Sequence, residues 1–203
     1  MTNYIMKTVQ ADGSSYGGFM WQLEVGAKVV APDWDPTPEC GGGLHGLLNG
    51  CGNGGLLDWG ESAVWIVARV PKSAQVVDLG GKVKVDRCKV VHVGDQVSAT
   101  SFLQERGCDG PIVGATVAVG DYGTATVGDY GTATAGDYGT ATVGYYGTAT
   151  AGYYGTATAG DGGAIHIRWW DGVRYRTAVG YVGEKGIKPN VAYIVKDGKL
   201  VKK

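Results

Sequence analysis

Two kinds of apolar patterning divide the chain. Up to about residue 110, short apolar runs such as "MWQLEVGAKVVA", "AVWIVARV", "AQVVDLGGKVKV" and "CKVVHVGD" are bounded by Gly, Pro and Asp. Alternation at Val83 and Val85, and again at Val91 and Val93, predicts strands. "DQVSATSFLQERG", from Asp95 onward, predicts the best helix. Ser98 is its candidate cap, Phe102 and Leu103 its inward residues, and Gly107 its stop. Residues 1–110 are therefore expected to form an α+β domain in which strands dominate.

From Gly120 to Ala159 the pattern changes to a phrase of eight residues, Gly-X-Tyr-Gly-Thr-Ala-Thr-(Val/Ala), written five times. Two glycines punctuate each unit and are expected to supply its turns. Between them Thr124, Ala125, Thr126 and Val127 alternate, so a strand places both Thr on one face and Ala and Val on the other. The last position runs Val127, Ala135, Val143, Ala151, Ala159, and this alternation points to a true period of 16. The expectation for residues 111–167 is a short β-solenoid with two octads, 16 residues, per coil. Such arrays need sealed ends. "IVGATVAV" (112–119) and "GDGGAIHI" (160–167) are the candidate seals. Residues 168–203 are expected to form a β-hairpin cap. Asp171-Gly172 and "KDGK" at 196–199 mark its turns.

Composition narrows the function classes. The 203 residues carry Lys+Arg 18 against Asp+Glu 19, a formal charge of -1, which gives no broad footprint for duplex nucleic acid. No apolar run approaches the ~20 residues that span a bilayer, and "MTNYIMKTVQADGSSYGG" lacks the apolar core of a signal peptide. A cytoplasmic protein without membrane contact is expected. Its four cysteines, Cys40, Cys51, Cys88 and Cys108, then read as reduced thiols.

Chemistry concentrates in "ECGGGLHGLLNGCGNGGLLDW", Glu39 to Trp59. One reading is a metal site on Cys40, His45 and Cys51 with Cys88 or His92, although zinc sites favour tighter paired spacing. A second is a thiol nucleophile with His45 or His92 as base. A third is a glycine-rich loop packed by leucines, with the thiols as small hydrophobes. A fourth is ligand binding, with Gly42 and Gly43 approaching an anion and His45, Trp34 and Trp59 contacting a base. In the tail, Arg168, Trp169, Arg174 and Arg176 gather charge and aromatics as a second candidate surface. The alternative there is that Trp169 or Trp170 and Tyr175 cap the solenoid while the arginines stay solvated. No catalytic residue, metal or cofactor is assigned. Asp121, Asp129 and Asp137 are expected to point into solvent.

The octads resemble the repeats of bacterial ice-nucleation proteins, which combine Gly turns, Thr-x-Thr and Tyr in paired units of eight. That likeness covers about 120–159. Tyr16 to Phe19, "CGGGLHGLL" from Cys40, the Gly-Thr-Ala-Thr repeats and "GIKPNVAYIVKDGKLV" together resemble an uncharacterised family of phages, prophages and bacteria. The strand "GLH", then "VWIVARVP" and "VDLGGKVKV", is faintly similar in order to ADP-ribosyltransferase-like folds. These resemblances imply a non-enzymatic, phage-type protein. The outward tyrosines and an interior of only Ala and Val add the expectation of a homo-oligomer through Tyr122, Tyr130, Tyr138, Tyr146 and Tyr154, and the phage setting with the Gly/His/Trp loop that of a sponge sequestering a small nucleotide-like ligand. The alternatives are a structural or ice-binding-like solenoid, in which the repeat acts as a spacer or a surface, and a small cysteine- or zinc-dependent enzyme.

Overall fold

A computed structural model describes residues 2–203. It is mostly β, with one α-helix, and it divides into two units, Met1–Ile112 and Val113–Lys203.

The first unit is built on a seven-stranded sheet. Its strands are β1 (Asn3–Val9), β2 (Lys28–Val30), β3 (Leu44–Leu48), β4 (Val64–Val70), β5 (Val76–Asp78), β6 (Val83–Val85) and β7 (Arg87–Gly94). Their order is β2-β7-β4-β1-β3-β6-β5, and every pairing is antiparallel. Ile5, Val9, Trp21, Leu44, Ile66, Val85, Cys88 and Val90 form the core on one side. Helix α1 (Gln96–Glu105) packs on β4 and β7, burying Ala99 and Leu103.

The strands read at Val83 and Val85 and at Val91 and Val93 are present as β6 and β7, and two expectations for the helix are corrected. The helix is capped by Asp95, not Ser98: the Asp95 carboxylate accepts from Ser98 N, and the Ser98 hydroxyl serves the Asp95 backbone in return, a capping box. Phe102 is only half-buried, edge-on to Tyr4 at 6.1 Å. In β7 the buried residues are Cys88 and Val90, while Val91 and Val93 are half-buried. The pairing with β4 slips between Val67 and Ala68, and this irregularity shifts the phase of the alternation.

The second unit is a β-solenoid of about three turns closed by antiparallel strands. Thr116–Val119 (β8), Thr132–Ala135 (β10) and Thr148–Ala151 (β12) stack in one parallel sheet. Thr124–Thr126 (β9), Thr140–Val143 (β11) and Thr156–Ala159 (β13) stack in the other. Partners lie sixteen residues apart in the chain, as in Thr132 with Thr148 and Thr140 with Thr156. The interior is Ala125, Val127, Ala133, Ala135, Ala141, Val143, Ala149, Ala151, Ala157 and Ala159, each no more than 3 % exposed. Within the array the Val/Ala alternation follows the two walls. Val127 and Val143 belong to one stack, which ends at Ala159, and Ala135 and Ala151 to the facing one, which begins at Val119.

Ala164–Trp170 (β14) stacks in parallel on β12 through Ile165 and Ile167, then pairs antiparallel with Tyr175–Tyr181 (β15). Tyr193–Lys196 (β16) meets β13 at Ala157 and turns into Lys199–Lys202 (β17). Ile165, Ile167, Ala178, Val182 and Tyr193 are buried at this end, whereas Trp170 and Tyr175 stay exposed. Asp171 to Arg174 form a four-residue loop between Trp170 and Tyr175, held by the Asp171 carboxylate on Val173 N and Arg174 N.

Candidate functional site

The octad's turn differs from its expected form. The tyrosines, not the glycines, take the left-handed backbone: Tyr122, Tyr130, Tyr138, Tyr146 and Tyr154 have φ between 53° and 60°. Gly114 and Gly162 hold the same slot one octad before and after the five, with φ 73° and 65°. A bulky residue there costs on the order of 1–2 kcal/mol relative to Gly. Tyrosine is therefore present despite its local cost, and the rings themselves offset it. Tyr122, Tyr138 and Tyr154 form one stacked column, with centroids 5.0 and 5.3 Å apart. Tyr130 and Tyr146 stack at 5.6 Å in the other. Four of the five rings are exposed, and Tyr130 is half-buried.

The octad glycines serve close approach instead. A Cβ on Gly139 would lie 2.7 Å from the Ala135 Cβ and 3.0 Å from the Gly123 carbonyl oxygen. The aspartates are also tied in, which corrects their expected role as free solvent groups. Asp121 accepts from Asp137 N at 2.8 Å, Asp129 from Tyr145 N at 2.9 Å, and Asp137 from Tyr153 N at 2.8 Å. Each carboxylate thus occupies an otherwise orphaned backbone donor one coil along.

Outside the strands the threonines form ladders. On the wall of β9, β11 and β13, Thr124, Thr140 and Thr156 make one row and Thr126, Thr142 and Thr158 a second. Strand geometry sets the step at about 4.8 Å between strands and about 6.6 Å along each. On the other wall Thr116, Thr132 and Thr148 make a row of equal length, but the second row is cut to Thr134 and Thr150, because Ala118 and His166 replace Thr at its ends. Lys203 Nζ donates to Thr156 Oγ1 at 3.2 Å, so the chain's end covers one corner of the larger array.

The tail residues are largely spoken for. Arg168 pairs with Asp137 at 2.8 Å and lies 4.5 Å over the Tyr175 ring. Arg176 pairs with Asp171. Trp169 packs against Gly198, and Arg174 is exposed.

In the first unit a cavity of about 960 Å³ brings together His45, Gly42 and Gly43, as well as Lys7 and Lys82, which the sequence reading did not single out. Trp34 and Trp59 do not line it. Trp34 donates to Gln75 Oε1 at 3.3 Å, and Trp59 to the Gly54 carbonyl at 3.0 Å with its ring against Trp65. The glycine loop is held from beneath by Lys84, fully buried, whose ammonium donates to the Glu39 and Gly41 carbonyls at 2.9 Å each. Asp33 accepts from Gly43 N at 3.1 Å. Lys82 Nζ lies 3.1 Å from Cys40 Sγ. The Lys7 ammonium sits 4.8 Å over the Trp21 ring and is brought down to about 8, by burial first, with Lys82 adding to the effect and Cys88 opposing it.

Burial lowers the His45 pKa, and Lys82, Lys7 and Lys84 lower it further. Its Nε2 is buried with no hydrogen-bond partner. Burial also pushes the Cys88 thiol up to about 12 and raises Cys51 and Cys108. Among the described residues the His, Cys, Asp and Glu side chains form no group of three or more placed to hold a metal.

No family model matches the chain, and no solved structure matches it. Curated relatives do. An ice nucleation protein of Pseudomonas syringae is 34% identical over 107 residues, which is 52% of this chain and 9% of the relative. The ice nucleation protein InaU of Pantoea ananas is 30% identical over 106 residues, 52% of this chain and 10% of that protein. One from Enterobacter agglomerans is 30% identical over 106 residues, with 52% and 8% covered. The chain therefore spans about a tenth of the length of the relatives it matches. This similarity fits the repeat resemblance read from the octads.

Proposed function

We propose that this chain is a non-enzymatic structural protein whose solenoid, with two octads per coil, binds ice. The observation that carries the reading is the threonine array on β9, β11 and β13, in register from strand to strand. Each Thr offers a hydroxyl that hydrogen-bonds water and a methyl that does not. A flat wall repeating both at a fixed step orders the adjacent water layer. The likeness to ice nucleation proteins supports the same reading. The tyrosine columns serve a second copy of the chain. They place broad rings with hydrogen-bonding tips at a constant spacing, which suits a symmetric partner.

The test is direct. The full chain should slow the recrystallisation of ice, and the paired change Thr126→Lys and Thr142→Lys, on exposed or half-buried positions, should abolish that effect with the fold intact. Unchanged ice growth in the presence of the wild-type chain would end the proposal. Light scattering should give a dimer or larger, shifted toward monomer by Tyr130→Ser with Tyr146→Ser.

A further inference from the structure

The first unit contains a charged cavity that an ice-binding wall does not need. Lys7 comes from β1, His45 from β3 and Lys82 from the segment before β6, and all three line the same space. No carboxylate among the described residues forms an ion pair with Lys7, Lys82 or Lys84. The acid that lines the cavity, Asp33, is engaged with the backbone of Gly43. Half-buried ammonium groups without counter-charge are costly to hold together. Here two of them, Lys7 and Lys82, repel each other, and a buried imidazole nitrogen beside them has no partner. The two ammonium costs are relieved by the same thing, a compact group with two negative charges and several acceptor oxygens, seated beside the His45 ring that lines the same space. A phosphate monoester has both properties. Part of the remaining wall is apolar, with Phe19, Leu56 and Leu57. It suits an organic moiety attached to that group.

We propose that this cavity binds a small molecule bearing a phosphate monoester, its dianionic head seated among Lys7, Lys82 and His45 and its organic part against Phe19 and Leu57. Lys84 acts from behind, fixing the carbonyls of Glu39 and Gly41 so that the loop 39–43 keeps the mouth of the cavity in place. Carboxylates are weaker ligands for this site, because a single charge leaves one ammonium uncompensated. Neutral ring compounds do not bind.

The experiment is a calorimetric titration of the full chain with phenyl phosphate, inorganic phosphate, benzoate and phenol. Phenyl phosphate should bind best, inorganic phosphate and benzoate each about tenfold or more weaker, and phenol not measurably. Lys82→Met should weaken phenyl phosphate on the order of tenfold, while Lys72→Met, on the exposed turn after β4, should leave it unchanged. Should Lys82→Met fail to fold, acetylation of the wild-type chain answers the same question. Phenyl phosphate should slow modification of Lys7, read by peptide mass spectrometry, and leave Lys72 unaffected. Equal binding of phenyl phosphate and phenol, no binding at millimolar concentration, full binding by Lys82→Met, or unprotected Lys7 would each overturn the proposal.

Discussion

The two units spend sequence in opposite ways. The first fills its interior with Ile, Leu, Trp and Met, no two neighbourhoods alike, and leaves a cavity where polar groups from separate strands converge. The octads of the second fill their interior with Ala and Val, and the repeated parts are nearly interchangeable. Small side chains bury little apolar area, at about 25 cal/mol per Å². The solenoid compensates with backbone: coil-to-coil amide ladders, the Asp acceptors one coil along and the stacked rings. Stability thus comes from side-chain volume in one unit and from main-chain proximity in the other. The first arrangement makes room for a pocket, and the second makes an even surface.

The sharpest way to break this contrast is to trade one unit's weakness for the other's. Ile66→Ala, at a position 0 % exposed, should cost the first unit about 3–4 kcal/mol by leaving a cavity. Gly139→Ala adds a single methyl, yet it should cost the solenoid about 3 kcal/mol, because the new Cβ meets backbone that cannot retreat. Site-resolved hydrogen exchange separates the two, since each loss should stay in its own unit.

A smaller effect tests the aspartate ladder. Asp129→Ala removes the acceptor for Tyr145 N and should lower solenoid stability by about 1 kcal/mol, whereas Asp129→Asn, which keeps an oxygen in place, should be near neutral. Equal losses in a thermal melt would mean that the charge matters and the hydrogen bond does not.

The last test is confined to the first unit and concerns pH. The folded Lys7 releases its proton near 8 and the unfolded one near 10.5, so the unfolded state binds more protons in that window and stability rises with pH. Cys88 acts in the opposite sense. Its unfolded thiol ionises near 9.0 and its folded thiol near 12, so stability falls above pH 9. The wild-type chain should gain stability from about pH 8 to 9 and then level off. In Cys88→Ala the gain above pH 9 should exceed that of the wild-type chain, still opposed by the raised thiols of Cys51 and Cys108, and in Lys7→Met it should disappear.

The same contrast decides what could be read beforehand. The solenoid was legible because its information is local and repeated: Thr-Ala-Thr names both faces of a strand, and Val127 against Ala135 betrays two walls. The turn was misread because glycine is the ordinary bearer of positive φ, and nothing in one octad says that tyrosine takes it. Comparison with Gly114 and Gly162 at the flanking positions of the same slot was the available signal. In the first unit the short runs announced strands, but the order β2-β7-β4-β1-β3-β6-β5 depends on partners far apart in the chain. His45 stood out through the loop that contains it. Lys7 and Lys82 did not, because each is an ordinary surface residue in its own segment and gains meaning only where β3 lies between β1 and β6. Trp34 and Trp59 attracted notice by proximity in sequence and proved to be packed elsewhere.

Strand β14 stacks on β12, the strand sixteen residues before it, and β16 meets β13. The closing segment therefore reads only the last coil, whatever number of octads precedes it. Recombination between copies of the repeat can lengthen or shorten the array while the cap keeps the same partners, so the gene can vary the size of the surface without rewriting its seal.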